Sequence, residues 1–164
     1  MARRVFFSFH YENDINRAMV VRNSWVTQGV EKAGFLDKAD FEKLKLKGDK
    51  AVESWIDDQL IGTSVTVVLI GNETLTRDFV QYEIRKSLEK GNAIIGVKIH
   101  NISDMITKRV SSPGSLHTVI GMWTQTKQNI YFDEIADGIY DYSSQDGYTN
   151  LGKWVESAVQ KKIR

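Results

Sequence analysis

A lone acid on the apolar side of a helix is the first chemistry this sequence offers. Read at about 100° per residue, the stretch Arg77-Asp78-Phe79-Val80-Gln81-Tyr82-Glu83-Ile84-Arg85-Lys86-Ser87-Leu88-Glu89-Lys90 divides into two faces. Phe79, Val80, Ile84 and Leu88 share one face; Gln81, Tyr82, Arg85, Lys86 and Glu89 share the other. Glu83 projects between Phe79 and Val80, on the apolar side, together with the small, uncharged Ser87. A carboxylate placed there must be neutralised, paired or turned towards a pocket, because burying a free charge costs roughly several kcal/mol or more. Two readings stay open on this pattern. Glu83 forms a structural ion pair with an inward arginine such as Arg22, or it faces a ligand and reacts.

Other familiar chemistry is missing. The chain has no G-x-G-x-x-G after its first strand and no G-x-x-x-x-G-K-[ST], so neither a dinucleotide fold of the Rossmann kind nor a nucleoside triphosphatase is supported. No G-x-S-x-G marks a hydrolase serine. His10, His100 and His117 show no metal spacing, and no metal site is expected. Without cysteine, disulfides, thiolate metal sites and cysteine nucleophiles are excluded. A phospho-aspartate receiver would need an acidic pair after its first strand and an aspartate after the third. Ser8-Phe9-His10-Tyr11 and Ile70-Gly71-Asn72 carry neither. Twenty-two lysines and arginines against 21 acids give a net charge of +1, which supports neither a nucleic-acid partner nor a polybasic membrane patch. No apolar run approaches the roughly 20 residues of a membrane span. The opening Val5-Phe6-Phe7 breaks at Ser8 and His10, short of a signal-peptide core. A cytoplasmic protein is the simplest expectation.

The elements that must position Glu83 are legible from periodicity. Val5 to Phe9 reads as a strand covered on both faces. Asp14 to Lys32 reads as a helix capped by Asp14 or Asn13, with Ile15, Ala18, Met19, Trp25 and Val26 on one side and Arg22 beside them. Phe35-Leu36-Asp37 could be a short second strand. Asp49 to Leu60 presents Val52, Trp55, Ile56 and Leu60 on one face of a second helix. Ser64 to Ile70, uncharged, rich in β-branched residues and bounded by Gly62 and Gly71, is the strongest strand. The Glu83 helix and a strand from Ala93 to Ile99 follow. This alternation predicts an α/β fold: an open parallel sheet of the flavodoxin-like kind with helices on both faces, in a single domain over 1–164. Ligands of such sheets bind beyond the carboxyl ends of the strands. Residues 101–128, with the only proline at Pro113, are expected to be a long loop or insertion, functional or mobile. Ile130-Tyr131-Phe132 reads as a last short strand, and 148–162 as a closing helix with Leu151, Trp154, Val155, Ala158 and Val159 on one face.

Four segments, in order, resemble TIR domains: Val5-Phe6-Phe7-Ser8-Phe9, Phe35-Leu36-Asp37, Thr63 to Ile70, and Thr76-Arg77-Asp78-Phe79-Val80-Gln81-Tyr82-Glu83. The last is similar to the Ser-x-x-Trp-Cys-x-x-Glu segment of enzymatic TIR domains, with Phe79 and Val80 in place of Trp-Cys. Arg4 to Tyr11, Val21-Arg22-Asn23-Ser24-Trp25-Val26, Tyr82-Glu83-Ile84, Glu89-Lys90-Gly91-Asn92 and Ile94-Ile95-Gly96 most resemble the bacterial TIR-like family that includes the sensor subunit of Thoeris antiphage defence.

That resemblance implies an enzyme that cleaves the nicotinamide–ribose bond of NAD⁺, with Glu83 as its catalytic glutamate. NAD⁺ is then a substrate, and no cofactor is implied. The product would be a cyclic ADP-ribose isomer, a diffusible nucleotide signal that activates a separate effector protein. A phage protein as trigger and a homo-oligomer as active form belong to the same expectation. A non-catalytic TIR-like adaptor is the alternative, and a flavodoxin-like ligand sensor a third reading. Substrate-binding candidates lie at the strand ends: Ser8 and His10 facing the pocket, Tyr11 stacking on a base or nicotinamide ring, and Asp37 contacting substrate or capping its loop. Trp25, Trp55 and Trp154 read as core; Trp123 reads as a pocket lid or interface residue.

Overall fold

Along the chain, β1 (Val5–Ser8) leads into α1 (Tyr11–Thr27), and α2 (Lys38–Leu46) is followed by α3 (Asp49–Leu60). Next come β2 (Val65–Ile70), a 3₁₀ turn (Thr74–Thr76), α4 (Asp78–Lys90) and β3 (Ala93–Lys98). The last third holds β4 (Val119–Met122), β5 (Asn129–Tyr131), the short α5 (Phe132–Ile135), β6 (Gly138–Asp141) and α6 (Gly147–Ile163). The computed structural model describes residues 4–27 and 38–163. Among these, no helix is long and apolar enough to cross a membrane. The strand expected at Phe35-Leu36-Asp37 lies outside the described residues.

Four strands pair in parallel in the order β1-β2-β3-β6, with Ser8 level with Val68 and Val68 level with Gly96. Strand side chains alternate between faces. On one face Val5, Phe7, Val65, Val67, Ile95 and Val97 pack with Ala18, Val21 and Trp25 of α1 and with Leu151 and Val155 of α6. Phe7 meets Trp25 edge to face at 6.1 Å. On the other, Val68, Ile70 and Ile94 pack with Val80 and Ile84 of α4 and with Ile120, Ile130 and Phe132. Phe6 reaches Trp55 of α3 at 6.4 Å. The fold is thus the open, parallel α/β sheet with helices on both faces that the alternation predicts.

Several elements differ from the sequence reading. Helix α1 begins at Tyr11, where the His10 carbonyl accepts the Asp14 N–H at 2.9 Å, so Asn13 and Asp14 are not caps. Asp14 instead turns inward, 1% exposed, and binds Arg17 at 3.1 Å. Helix α2 had no periodic signal strong enough to announce it; its inward residues are Phe41 and Leu44 between charged neighbours. The stretch 101–128 is not all loop. Its residues Val119–Met122 pair antiparallel with Asn129–Tyr131 in a separate hairpin, and Phe132 opens α5 rather than ending a strand. The fourth strand of the main sheet is β6 instead, set in register where Asp137 Oδ2 accepts the Ile94 N–H at 2.8 Å and the Asp137 N–H reaches Ile94 O at 2.7 Å.

Helix α4 is fixed to the sheet by a buried polar chain as well as by its apolar face. Ser87 Oγ donates to the Glu83 carbonyl at 2.7 Å and shares a 2.6 Å hydrogen bond with Thr66 Oγ1 on β2. Asn92 Nδ2 closes the chain on Thr63 Oγ1 at 2.9 Å. Ser87 therefore sits on the apolar side because it anchors the turn carrying Glu83. The helix end is standard: Gly91 takes φ +86° and receives no Cβ penalty there. Below α5, Gly96 has no room for a side chain, since a Cβ would lie 2.9 Å from Ile70 Cδ1 and Phe132 Cε2. Gly96→Ala is expected to lower stability by about 1–3 kcal/mol. In urea the midpoint should fall with the slope unchanged.

Candidate active site

Five elements meet beyond the carboxyl end of β1. The strand end supplies Phe9 and His10, and the first turn of α1 supplies Tyr11 and Glu12. Phe41 and Lys45 come from α2, Val52, Trp55 and Ile56 from α3. Arg77, Asp78, Phe79, Val80 and Glu83 come from the start of α4. Together they line a cavity of about 260 Å³. It lies where an open parallel sheet places its ligands. A second cavity, lined by Tyr11, Glu12, Phe41, Glu42, Lys45 and Leu46, shares four of those residues and continues the first outward.

Glu83 is 6% exposed and reaches this cavity from α4. Burial pushes its carboxyl well above the usual 4.5, and the Ser8 hydroxyl, which favours the charged form, only partly opposes that. Ser8 is fully buried and its Oγ makes no hydrogen bond of good geometry. It stands close enough to the Glu83 carboxyl to influence it without forming a settled bond. Arg22, the partner an ion-pair reading would need, is not among the groups that act on Glu83. The acid is therefore held by desolvation against a hydroxyl, with a cavity in front of it.

The remaining expected site residues divide. His10 lines the cavity, and burial, then the nearby Arg77 charge, lowers its pKa, so the ring is neutral near pH 7. Tyr11 lines it too, but its faces are taken by Phe9 at 4.2 Å and by Phe41 at 4.0 Å, the latter stacked within 3°. Its edge, not its face, is left to the cavity. Ser8 stands behind Glu83 and is not part of the wall. Asp37 lies outside the described residues.

The sequence reading missed Phe41, Lys45 and Arg77. It also found no second carboxylate near Glu83, whereas Glu12 and Asp78 both line the cavity. Trp55, read as core, packs on the core and also lines the cavity. Its aromatic bulk at the edge of an apolar helix face was the available signal.

The buried acid has a consequence for stability. Its folded pKa is raised, so the stability of the protonated state is present below about pH 4.5 and is lost as pH rises through the folded pKa. Glu83→Gln lacks that loss. Its melting temperature at neutral pH should exceed wild type by roughly 3–6 °C, the size expected when about 1–2 kcal/mol is recovered in a chain of this length. The gap should close towards pH 4, which calorimetry across the pH range would read.

Comparison with known proteins identifies the family. Residues 6–104 match the family model described as "Thoeris protein ThsB, TIR-like domain". That span contains β1 from Phe6 onward, every residue lining the cavity, and Glu83 among them. The chain is also 38% identical, over 94% of its length and 100% of the relative's, to a Bacillus cereus (strain MSX-D12) protein named "Putative cyclic ADP-D-ribose synthase ThsB1". With the family model covering more than half of the chain and that relative matched end to end, this protein belongs to the ThsB TIR-like family of Thoeris proteins.

Proposed function

We propose that this chain is a cyclic ADP-ribose synthase, breaking the nicotinamide–ribose bond of NAD⁺ and closing the remainder into a ring. The observation that carries the reading is Glu83: a carboxyl at the cavity wall, buried and, among the described residues, without a charged partner. A nicotinamidium ring is a cation that fits such a place. Its charge would offset the desolvation that holds the acid neutral and return Glu83 to the carboxylate. The name of the Bacillus cereus relative points the same way.

The chemistry needs little else. The C1′–N bond breaks with its electron pair going to nicotinamide, which leaves neutral. The ribose left behind carries an oxocarbenium-like charge, as in glycoside cleavage. A Glu83 carboxylate beside C1′ stabilises that charge as it develops. Because nicotinamide is a cationic leaving group from the start, no strong general acid is required, which fits a neutral His10. A nucleophilic nitrogen of adenine or a ribose hydroxyl then forms the new bond to C1′, and one proton is released overall. Phe9, Tyr11, Phe41, Val52, Trp55 and Phe79 make the wall largely apolar, which keeps water from competing for C1′. The cyclic product would leave as a diffusible signal to an effector protein in a cytoplasmic antiphage response, with a phage protein as trigger.

Wild type and Glu83→Gln incubated with NAD⁺, alone and after phage infection of cells producing them, should differ by at least about 100-fold in nicotinamide and cyclic product measured by mass spectrometry. Equal protection from phage by Glu83→Gln would favour an adaptor that acts by contacts alone. The pH profile gives a second check. Because burial raises the Glu83 pKa, kcat/KM should climb with pH through that raised value and then level off. Ser8→Ala removes the group that favours the carboxylate, so its rising limb should move to higher pH.

A further inference from the structure

The outer rim of the cavity carries charges that the reaction at Glu83 does not use. Lys45 of α2 and Arg77 at the start of α4 both line the cavity. Each is engaged by an exposed acid. Lys45 Nζ binds Glu12 Oε1 at 2.9 Å, and Arg77 Nη2 binds Glu73 Oε2, which Asn13 Nδ2 also meets at 3.1 Å. Lys45 is 41% exposed and Arg77 44%, so both cations reach solvent as well as the cavity. Glu12 feels both: its pKa is lowered by the hydrogen bond and charge of Lys45 and, more weakly, by Arg77. The two cations therefore line one cavity, each held by its own exposed acid. Beyond them the second cavity opens along Phe41, with Lys45 Nζ 5.7 Å from that ring.

We infer that Lys45 and Arg77 form a diphosphate seat, occupied in the resting protein by the Glu12 carboxylate on Lys45 and the Glu73 carboxylate on Arg77. The inference rests on the dinucleotide reading of the cavity and adds how that substrate is gripped. A cavity of about 260 Å³ suits a nicotinamide ring and its ribose, not a whole dinucleotide. The rest of such a ligand must leave past the mouth, and its two phosphates then pass between the cations. Exposed carboxylate partners hold lysine and arginine weakly. A doubly charged diphosphate offers both cations charge-assisted bonds at once and displaces Glu12 from Lys45 and Glu73 from Arg77. The adenosine end follows into the second cavity, along Phe41 and Leu46. Glu12 is thus a competitor of the substrate built into the rim.

Titration calorimetry with ADP-ribose, which keeps the diphosphate and has no bond to cleave, tests this on the full-length chain. Lys45→Met and Arg77→Met should each weaken binding by about tenfold. Glu12→Gln should tighten it several-fold, a gain that misfolding cannot produce. Added salt should weaken wild type more than either methionine variant. Nicotinamide riboside, which lacks phosphate, should compete for Glu83 with the same affinity in all four proteins. ADP-ribose binding that is unchanged by Lys45→Met and Arg77→Met, or unimproved by Glu12→Gln, overturns the seat while leaving NAD⁺ cleavage at Glu83 intact. If wild type binds neither ADP-ribose nor nicotinamide riboside, the seat and the dinucleotide reading fall together.

Discussion

The constraint on which the site depends is the burial of Glu83 with no cation acting on it among the described residues. A helix can carry a carboxyl into a core only if the surroundings hold it there, because turning it to solvent would regain its hydration. Here the holding is done by neighbours on either side of it. Val80 and Ile84 are 2% and 0% exposed against Val68, Ile70 and Ile94, so the helix cannot roll outward without uncovering them. Ser87 and Thr66 tie the same turn to β2. The sheet thereby imposes on Glu83 an environment that favours its neutral form. Strain of this kind persists where a function retains it.

What the sequence revealed of the fold follows how each element is stabilised. The elements β1, β2, α3, α4 and β3 carry their reason for folding within themselves: apolar runs covered on both faces, or apolar residues at helical spacing. Their edges were readable to within a residue or two. Helix α2 has only Phe41 and Leu44 to bury, and its order comes from lying on α1 and α3. Strand β6 is four residues of mixed character, Gly-Ile-Tyr-Asp, and becomes a strand because Asp137 locks it to Ile94 and Tyr140 stacks on Trp154. The β4–β5 hairpin is equally short and covers Arg85 and the outer side of α4, where Arg85 Nη1 donates to Ile120 O at 2.7 Å. These are non-local causes, and no window of sequence contains them.

The site was legible in the same partial way. Glu83 could be found because an acid on an apolar face violates a local rule. His10 and Tyr11 could be placed because strand ends are where such sheets bind ligands. The faces of Tyr11 could not, since Phe9 is its near neighbour in sequence but Phe41 arrives from a different helix. Lys45 and Arg77 obeyed every surface expectation for a cation and so gave no signal at all. Asp14 shows the opposite case. It looked like a cap and instead lies buried beside Arg17, which reaches Ile102 O at 2.7 Å and Arg109 O at 2.9 Å. Burial raises the Asp14 pKa more than the Arg17 charge lowers it. Asp14 leaves no space for a side chain at Gly71 after β2, and its partner Arg17 holds the loop after β3, so the loops after β2 and β3 are drawn onto this pair in the first turns of α1.

Taken with the rim, the Glu83 wall gives the cavity a direction. Inside, no cation among the described residues acts on the acid; outside, two cations are held by exposed acids. A ligand that is positive at one end and negative in its middle lowers its energy in one orientation and raises it in the other. A phosphate placed against Glu83 would oppose its ionisation further, because two anions would meet where the medium screens least. A nicotinamidium ring at the rim would meet Lys45 and Arg77. NAD⁺ has this polarity along its length, and nicotinamide entering first is the only insertion that satisfies both ends. Orientation in this site therefore comes from charge, while the apolar wall supplies burial. The Ser8 hydroxyl, which makes no hydrogen bond of good geometry, favours the carboxylate form of Glu83 against the burial that opposes it.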